Sequence, residues 1–109
     1  MPDVTVERRS APRYFRVLAA EVVEMPRGAR LIARTSDISR TGCYIDTMNP
    51  VQKGCQIRLR FTHHQEVFEA MARVVYVSDR LGMGVVFEAV APEEVARLDR
   101  WLAETGLEF

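Results

Sequence analysis

The sequence predicts a mainly β fold, an antiparallel barrel with one C-terminal α-helix. Three observations predict it. From residue 15 onward, short apolar runs recur between turn residues. Two of these runs alternate with a period of two, as half-buried strands do. Only the last segment changes to helical spacing. Closing the strands into a barrel removes the edges that an open sheet exposes.

The elements follow in order. "YFRVLAAEVVEM" predicts a first strand, closed by the turn "PRGAR" with Pro26 and Gly28. "LIARTSDIS" is the second, rich in apolar and β-branched residues, and "RTG" turns the chain into a short strand, "CYIDT". "NPVQKG" is another turn. In "QIRLRFT", Ile57, Leu59 and Phe61 face one way and Arg58, Arg60 and Thr62 the other. "EVFEAMARVVYVS" continues the alternation, with Phe68, Ala70, Ala72, Val74 and Tyr76 on one face, and "DRLG" turns into "MGVVFEAV". In "APEEVARLDRWLAETG", Pro92 suits the first helical turn, Glu93 and Glu94 its positive end, and Gly106 its exit. Val95, Leu98 and Leu102 share one helical face with Trp101 beside it, which makes an amphipathic helix that caps or flanks the barrel.

Composition bounds the function. The 109 residues suffice for one domain, and 48% apolar content excludes a disordered chain. Fifteen basic residues balance fifteen acidic ones, against a nucleic-acid coat or a polybasic membrane binder. Cys43 and Cys55 lack metal-ligand spacing and are expected as reduced thiols in or near the core. His63 and His64 sit in "FTHHQE", a hairpin turn; neighbours on a strand point to opposite faces, so no shared metal is expected. No apolar run spans a membrane and no leader is visible, so membrane insertion is not expected and a cytoplasmic location follows by default. With no Ser/His/Asp arrangement, metal spacing or P-loop, no enzyme is expected.

Two polar constellations remain. "ERRSAPRYFR" (7–16) places four arginines in ten positions. Arg9 and Arg13 have helical spacing, but Pro12 disfavours a helix there and makes the arm an extended strap. Arginine suits bidentate recognition of phosphate and of base edges. "DISRTG" (37–42) lies between two strands. Asp37 and Ser39 can bond backbone amides and shape the turn, and Gly42 can take a positive φ. The Asp37 carboxylate can equally accept from the N–H donors of guanine, whose other edge suits arginine forks. Together the strap and the turn make a complementary pocket for an anionic guanine nucleotide.

With "GMGVVF" before the terminal helix, these motifs resemble the PilZ domain of bacteria. That family's RxxxR arm, D/NxSxxG turn and G-x-G-apolar-x-F strand fall on Arg9/Arg13, on Asp37/Ser39/Gly42 and on Gly82/Gly84/Phe87. The resemblance implies a six-stranded antiparallel barrel with a helix. It divides the chain into a flexible N-terminus (1–6), the domain (7–104) and a tail (105–109). Within the domain lie the arm (7–16), the barrel (17–90) and the helix (92–104). It further implies cyclic di-GMP as ligand, held by Arg8, Arg9, Arg13, Asp37, Ser39, Gly42 and Gly84. Arg8 is similar to the long basic residue of members that take two intercalated ligand molecules. Such a receptor, a monomer or weak dimer, would signal in trans to a protein effector through ligand-induced ordering of its arm.

The alternative is a PilZ-like adaptor that binds no nucleotide and meets a partner's acids with its arginines. A single-stranded nucleic-acid binder would need exposed aromatics on a basic groove. Phe15, Phe61, Phe68, Tyr76 and Phe87 instead fall in apolar patterns.

Overall fold

The computed structural model describes residues 4–5 and 12–105. They form eight strands and one helix: β1 (Val4–Thr5), β2 (Arg13–Phe15), β3 (Ala19–Glu24), β4 (Arg30–Ser39), β5 (Gly42–Asp46), β6 (Gln56–His63), β7 (Glu66–Ser78), β8 (Gly82–Val90) and α1 (Pro92–Thr105). Six strands pair antiparallel in the order β8-β5-β4-β3-β6-β7, and a β7–β8 ladder closes the barrel. β1 adds to β8, and β2 pairs with the second half of β4.

The period-two alternation of β6 and β7 places the core. Ile57, Leu59, Phe61, Phe68 and Ala72 are fully buried, and Phe61 and Phe68 stack with centroids 5.5 Å apart. Leu98, Trp101 and Leu102 of α1 join the same cluster. The Trp101 indole N–H donates to Glu66 Oε1 at 3.1 Å, so the one polar atom of the ring is satisfied at the cluster's rim.

Three expectations are corrected. The run 14–25 is not one strand but two, β2 and β3, separated at 16–18. There the buried Thr35 hydroxyl accepts from Leu18 N–H at 2.9 Å and donates to the Arg16 carbonyl at 2.6 Å. A side chain thus satisfies backbone groups that a ladder would otherwise pair. Second, Tyr76 does not face the core: it is 46% exposed, whereas Val74 is 1% exposed. The register shifts between Val74 and Tyr76, so the bulge at Val75 reverses the alternation. Phe15, 59% exposed, also lies outside the core.

The third concerns the histidines. His63 pairs with Glu66, so His64 and Gln65 are a two-residue turn rather than strand. Their φ values of 50° and 65° fit the hairpin turn with both central residues left-handed. Strand alternation therefore does not separate the two imidazoles, whose ring centroids lie 4.0 Å apart.

Candidate ligand-binding site

The site is a row of residues crossing the outer face of the barrel. Phe15 of β2 pairs with Asp37 of β4, Asp37 with Tyr44 of β5, Tyr44 with Gly84 of β8, and Gly84 with Tyr76 of β7. Two bulges create this row. Thr35 is fully buried, so unbroken alternation would send Asp37 inward as well. The register shift between Thr35 and Asp37 turns the carboxylate outward and leaves Ile38 in the core. The bulge at Val75 does the same for Tyr76 from the opposite strand.

Gly84 makes room for the row. A Cβ there would stand 2.1 Å from Tyr76 Cε1 and 2.4 Å from Cζ, so the ring lies over the bare backbone. Gly42 has a different constraint. Its Cβ would stand 2.2 Å from the Val85 carbonyl oxygen, where β5 and β8 meet. The Tyr44 and Tyr76 rings lie 6.0 Å apart and tilted, on either side of Gly84.

Arg13 supplies the positive charge. Its Nη2 donates to Asp37 Oδ2 at 2.6 Å and its Nε to Oδ1 at 3.3 Å, a two-point guanidinium–carboxylate fork. The Arg13 side chain is 50% exposed and that of Asp37 12%, so the pair lies at the site's mouth with its carboxylate end sunk. The hydrogen bond to Asp37 pushes the guanidinium still higher, with Tyr76 adding to the effect.

Ser39 takes the turn-shaping role. Its Oγ accepts from Thr41 N–H at 3.1 Å and from Gly42 N–H at 3.2 Å. Buried and bonded in this way, Ser39 holds the DISRTG turn rather than projecting a free hydroxyl. Cys43, beside it, is buried, and that burial pushes its thiol well above the ordinary range. Cys43 and Cys55 are both free thiols.

Arg13, Asp37, Ser39, Gly42, Gly84 and Tyr76 line one cavity of about 170 Å³. Five residues singled out from the sequence are thus brought together. Arg8 and Arg9 lie outside the described residues. Tyr76 was missed, although Gly84 carried a signal for it, since a glycine inside a strand marks a close approach by another group.

The chemistry of the arrangement is mixed. It offers a guanidinium to an anion, a carboxylate to N–H donors, and an aromatic face to a flat ring. A cavity of about 170 Å³ falls below the roughly 300–1,000 Å³ of pockets that enclose a drug-sized ligand. It has room for one ring system, with the rest of a larger ligand at the rim beside Arg13. Among the described residues no helix is long and apolar enough to cross a membrane.

Comparison with known proteins accords with the fold. The motility inhibitor MotI/DgrA of Bacillus subtilis superposes with a TM-score of 0.72 at 17% identity, over 90% of this chain and 50% of that one. The chain thus spans about half the length of that relative. The PilZ domain of CeSA from a cellulose-synthesizing bacterium gives 0.69 at 15% identity, over 84% and 94% of the two chains. The PilZ domain of YcgR from Escherichia coli, solved with c-di-GMP, gives 0.67 at 16%, over 91% and 92%. A comparison with curated protein sequences finds no match. The PilZ domain family model matches residues 7–104, the whole six-stranded barrel, all but the last residue of its helix and the row of site residues, and the chain belongs to that family.

Proposed function

We propose that this protein is a cyclic di-GMP receptor, a binding protein rather than an enzyme. The observation that carries the reading is the convergence of Arg13, Asp37, Ser39, Gly42 and Gly84 on one cavity. The family and its Escherichia coli member solved with c-di-GMP support it.

In this reading a guanine enters over Gly84 and stacks against Tyr76. The Asp37 carboxylate accepts from the base's N–H donors while Arg13 turns a donor toward phosphate. Ser39 acts at one remove, by fixing the turn that carries Asp37. Arg8 and Arg9 complete the phosphate clamp, and Arg8 favours two intercalated ligand molecules. Part of the arm needs no ligand to be placed, because β2 already pairs with β4. Ligand-induced ordering of the arm would change the surface that an effector reads in trans.

Isothermal titration calorimetry with cyclic di-GMP tests the proposal. Saturable binding is expected, with a stoichiometry of two that falls to one in Arg8→Ala. Heat indistinguishable from dilution would leave the adaptor reading in its place.

A further inference from the structure

On the barrel surface, outside the row just described, lies a second group of ligating side chains: His63 at the end of β6, His64 in the hairpin turn, and Glu104 near the end of α1. Each offers one nitrogen or oxygen atom, and the three atoms all lie within 4.8 Å of one another. His63 Nε2 is 3.1 Å from Glu104 Oε1. A metal bound at about 2.0–2.2 Å to each atom needs only a small inward movement of His64 and Glu104, both exposed side chains.

A cation already occupies this notch. Arg16 Nη2 lies 2.6 Å from His63 Nε2 and 3.5 Å from Glu104 Oε1. Guanidinium has donors and no acceptor, so in the tautomer that satisfies Arg16 the Nε2 lone pair faces it and the ring proton sits on Nδ1; in the other tautomer Nε2–H would donate to Glu104 Oε1 instead. In the first of these an imidazole lone pair and a carboxylate converge on one positive group, as they would on a metal ion. His64, which Arg16 does not engage through any hydrogen bond among the described residues, is the ligand that a metal would add.

We propose that His63, His64 and Glu104 form a surface site for a divalent transition ion of the imidazole-binding class, zinc, nickel or copper, which exchanges with the Arg16 guanidinium. Two imidazoles and a carboxylate suit that class and leave further positions to water. Loading the site turns Arg16 outward and removes its tie to α1. The proposal does not rest on the cyclic di-GMP reading.

Trp101 supplies the readout, because its ring lies edge-on to His63 with centroids 5.2 Å apart and it is the only tryptophan in the chain. Titration of the full chain with nickel chloride should quench Trp101 fluorescence saturably at one ion per chain, and a chelator should restore it. His64→Ala, a surface change in a turn, and Glu104→Gln should each weaken binding by about tenfold or more. Arg16→Ala should strengthen it, a result that a merely structural arginine would not give. Cys55→Ser should bind as the parent does. Equal affinity in the parent, His64→Ala and Glu104→Gln, or loss of binding in Cys55→Ser, overturns the site. Unchanged or weaker binding in Arg16→Ala overturns the exchange.

Discussion

Arg13 and Asp37 meet through two hydrogen bonds, 2.6 Å and 3.3 Å long, across the ladder between β2 and β4. The pair joins the last motif arginine to the aspartate of the turn, so the two halves of the candidate site act as one unit. Removing either charge should cost about 1.5–3 kcal/mol of cyclic di-GMP binding, roughly ten- to a hundredfold. The same changes should be mild for folding, because the arginine end is half exposed. Arg13→Ala should cost no more than about 1 kcal/mol of stability by thermal denaturation. Full-affinity binding by both Arg13→Ala and Asp37→Asn in calorimetry would remove the pair from the site.

The two buried glycines of the site should respond differently. In Gly84→Ala the new methyl strikes the Tyr76 ring, which is half exposed and can swing away. Stability should fall by less than about 1 kcal/mol while ligand affinity drops. In Gly42→Ala the methyl strikes the backbone of β8, which cannot move without breaking its ladder. A loss of about 1–3 kcal/mol is expected there. Denaturant melts paired with ligand titrations separate the two outcomes.

Thr35→Val keeps shape and removes the hydroxyl that bonds Leu18 N–H and the Arg16 carbonyl. Leaving those groups unsatisfied should cost about 1–3 kcal/mol. Amide hydrogen exchange should rise first at Leu18, where β2 gives way to β3.

Acid should weaken the fold through specific carboxylates. Glu88 is held below the usual range by the Gln56 amide and then by Arg73, and Glu66 by the Trp101 indole and then by Arg100. A depressed folded value means stability that is complete above the ordinary glutamate value, about 4.3, and lost as pH falls through the folded one. Melting temperature should therefore decline below about pH 4.3, and less steeply in Glu88→Gln. An unchanged acid slope in that variant would rule out the linkage.

Burial should protect one thiol. Cys43 is buried with its thiol pushed up, whereas Cys55 is only partly buried. A disulfide reagent at neutral pH should modify Cys55 rapidly and Cys43 only on unfolding, since the thiolate is the reactive form. Rapid modification of both in the native protein would contradict the burial.

Much of the barrel was legible because β6, most of β7 and α1 follow their periods without interruption. Ile57, Leu59, Phe61 and Leu98 were placed correctly by alternation or helical spacing alone. What the sequence concealed lies at its irregular points. A bulge has no residue signature in "RVVYVS", so counting by twos carried Tyr76 into the core. The break after Phe15 depends on Thr35, nineteen residues beyond Arg16, and no local pattern reports so distant a hydroxyl. Strand alternation does not reach His64, a turn residue whose ring lies beside that of His63. The candidate site residues were legible for a different reason: Asp37, Ser39 and Gly42 are close in sequence, and Gly84 falls in the G-x-G-apolar-x-F strand that carries the family resemblance.

The two bulges give the barrel a parity. Each absorbs one extra amino acid, Ser36 in β4 and Val75 in β7, so the residues beyond keep the side they would take in a strand one residue shorter. Deleting either residue would leave Asp37 opposite Tyr44 and Tyr76 opposite Gly84 as they are now, whereas one further residue inserted without a new bulge would exchange inside for outside beyond it. Recognition in this wall is thus encoded partly as a count, and a lineage could silence the site by gaining one residue of no chemical distinction.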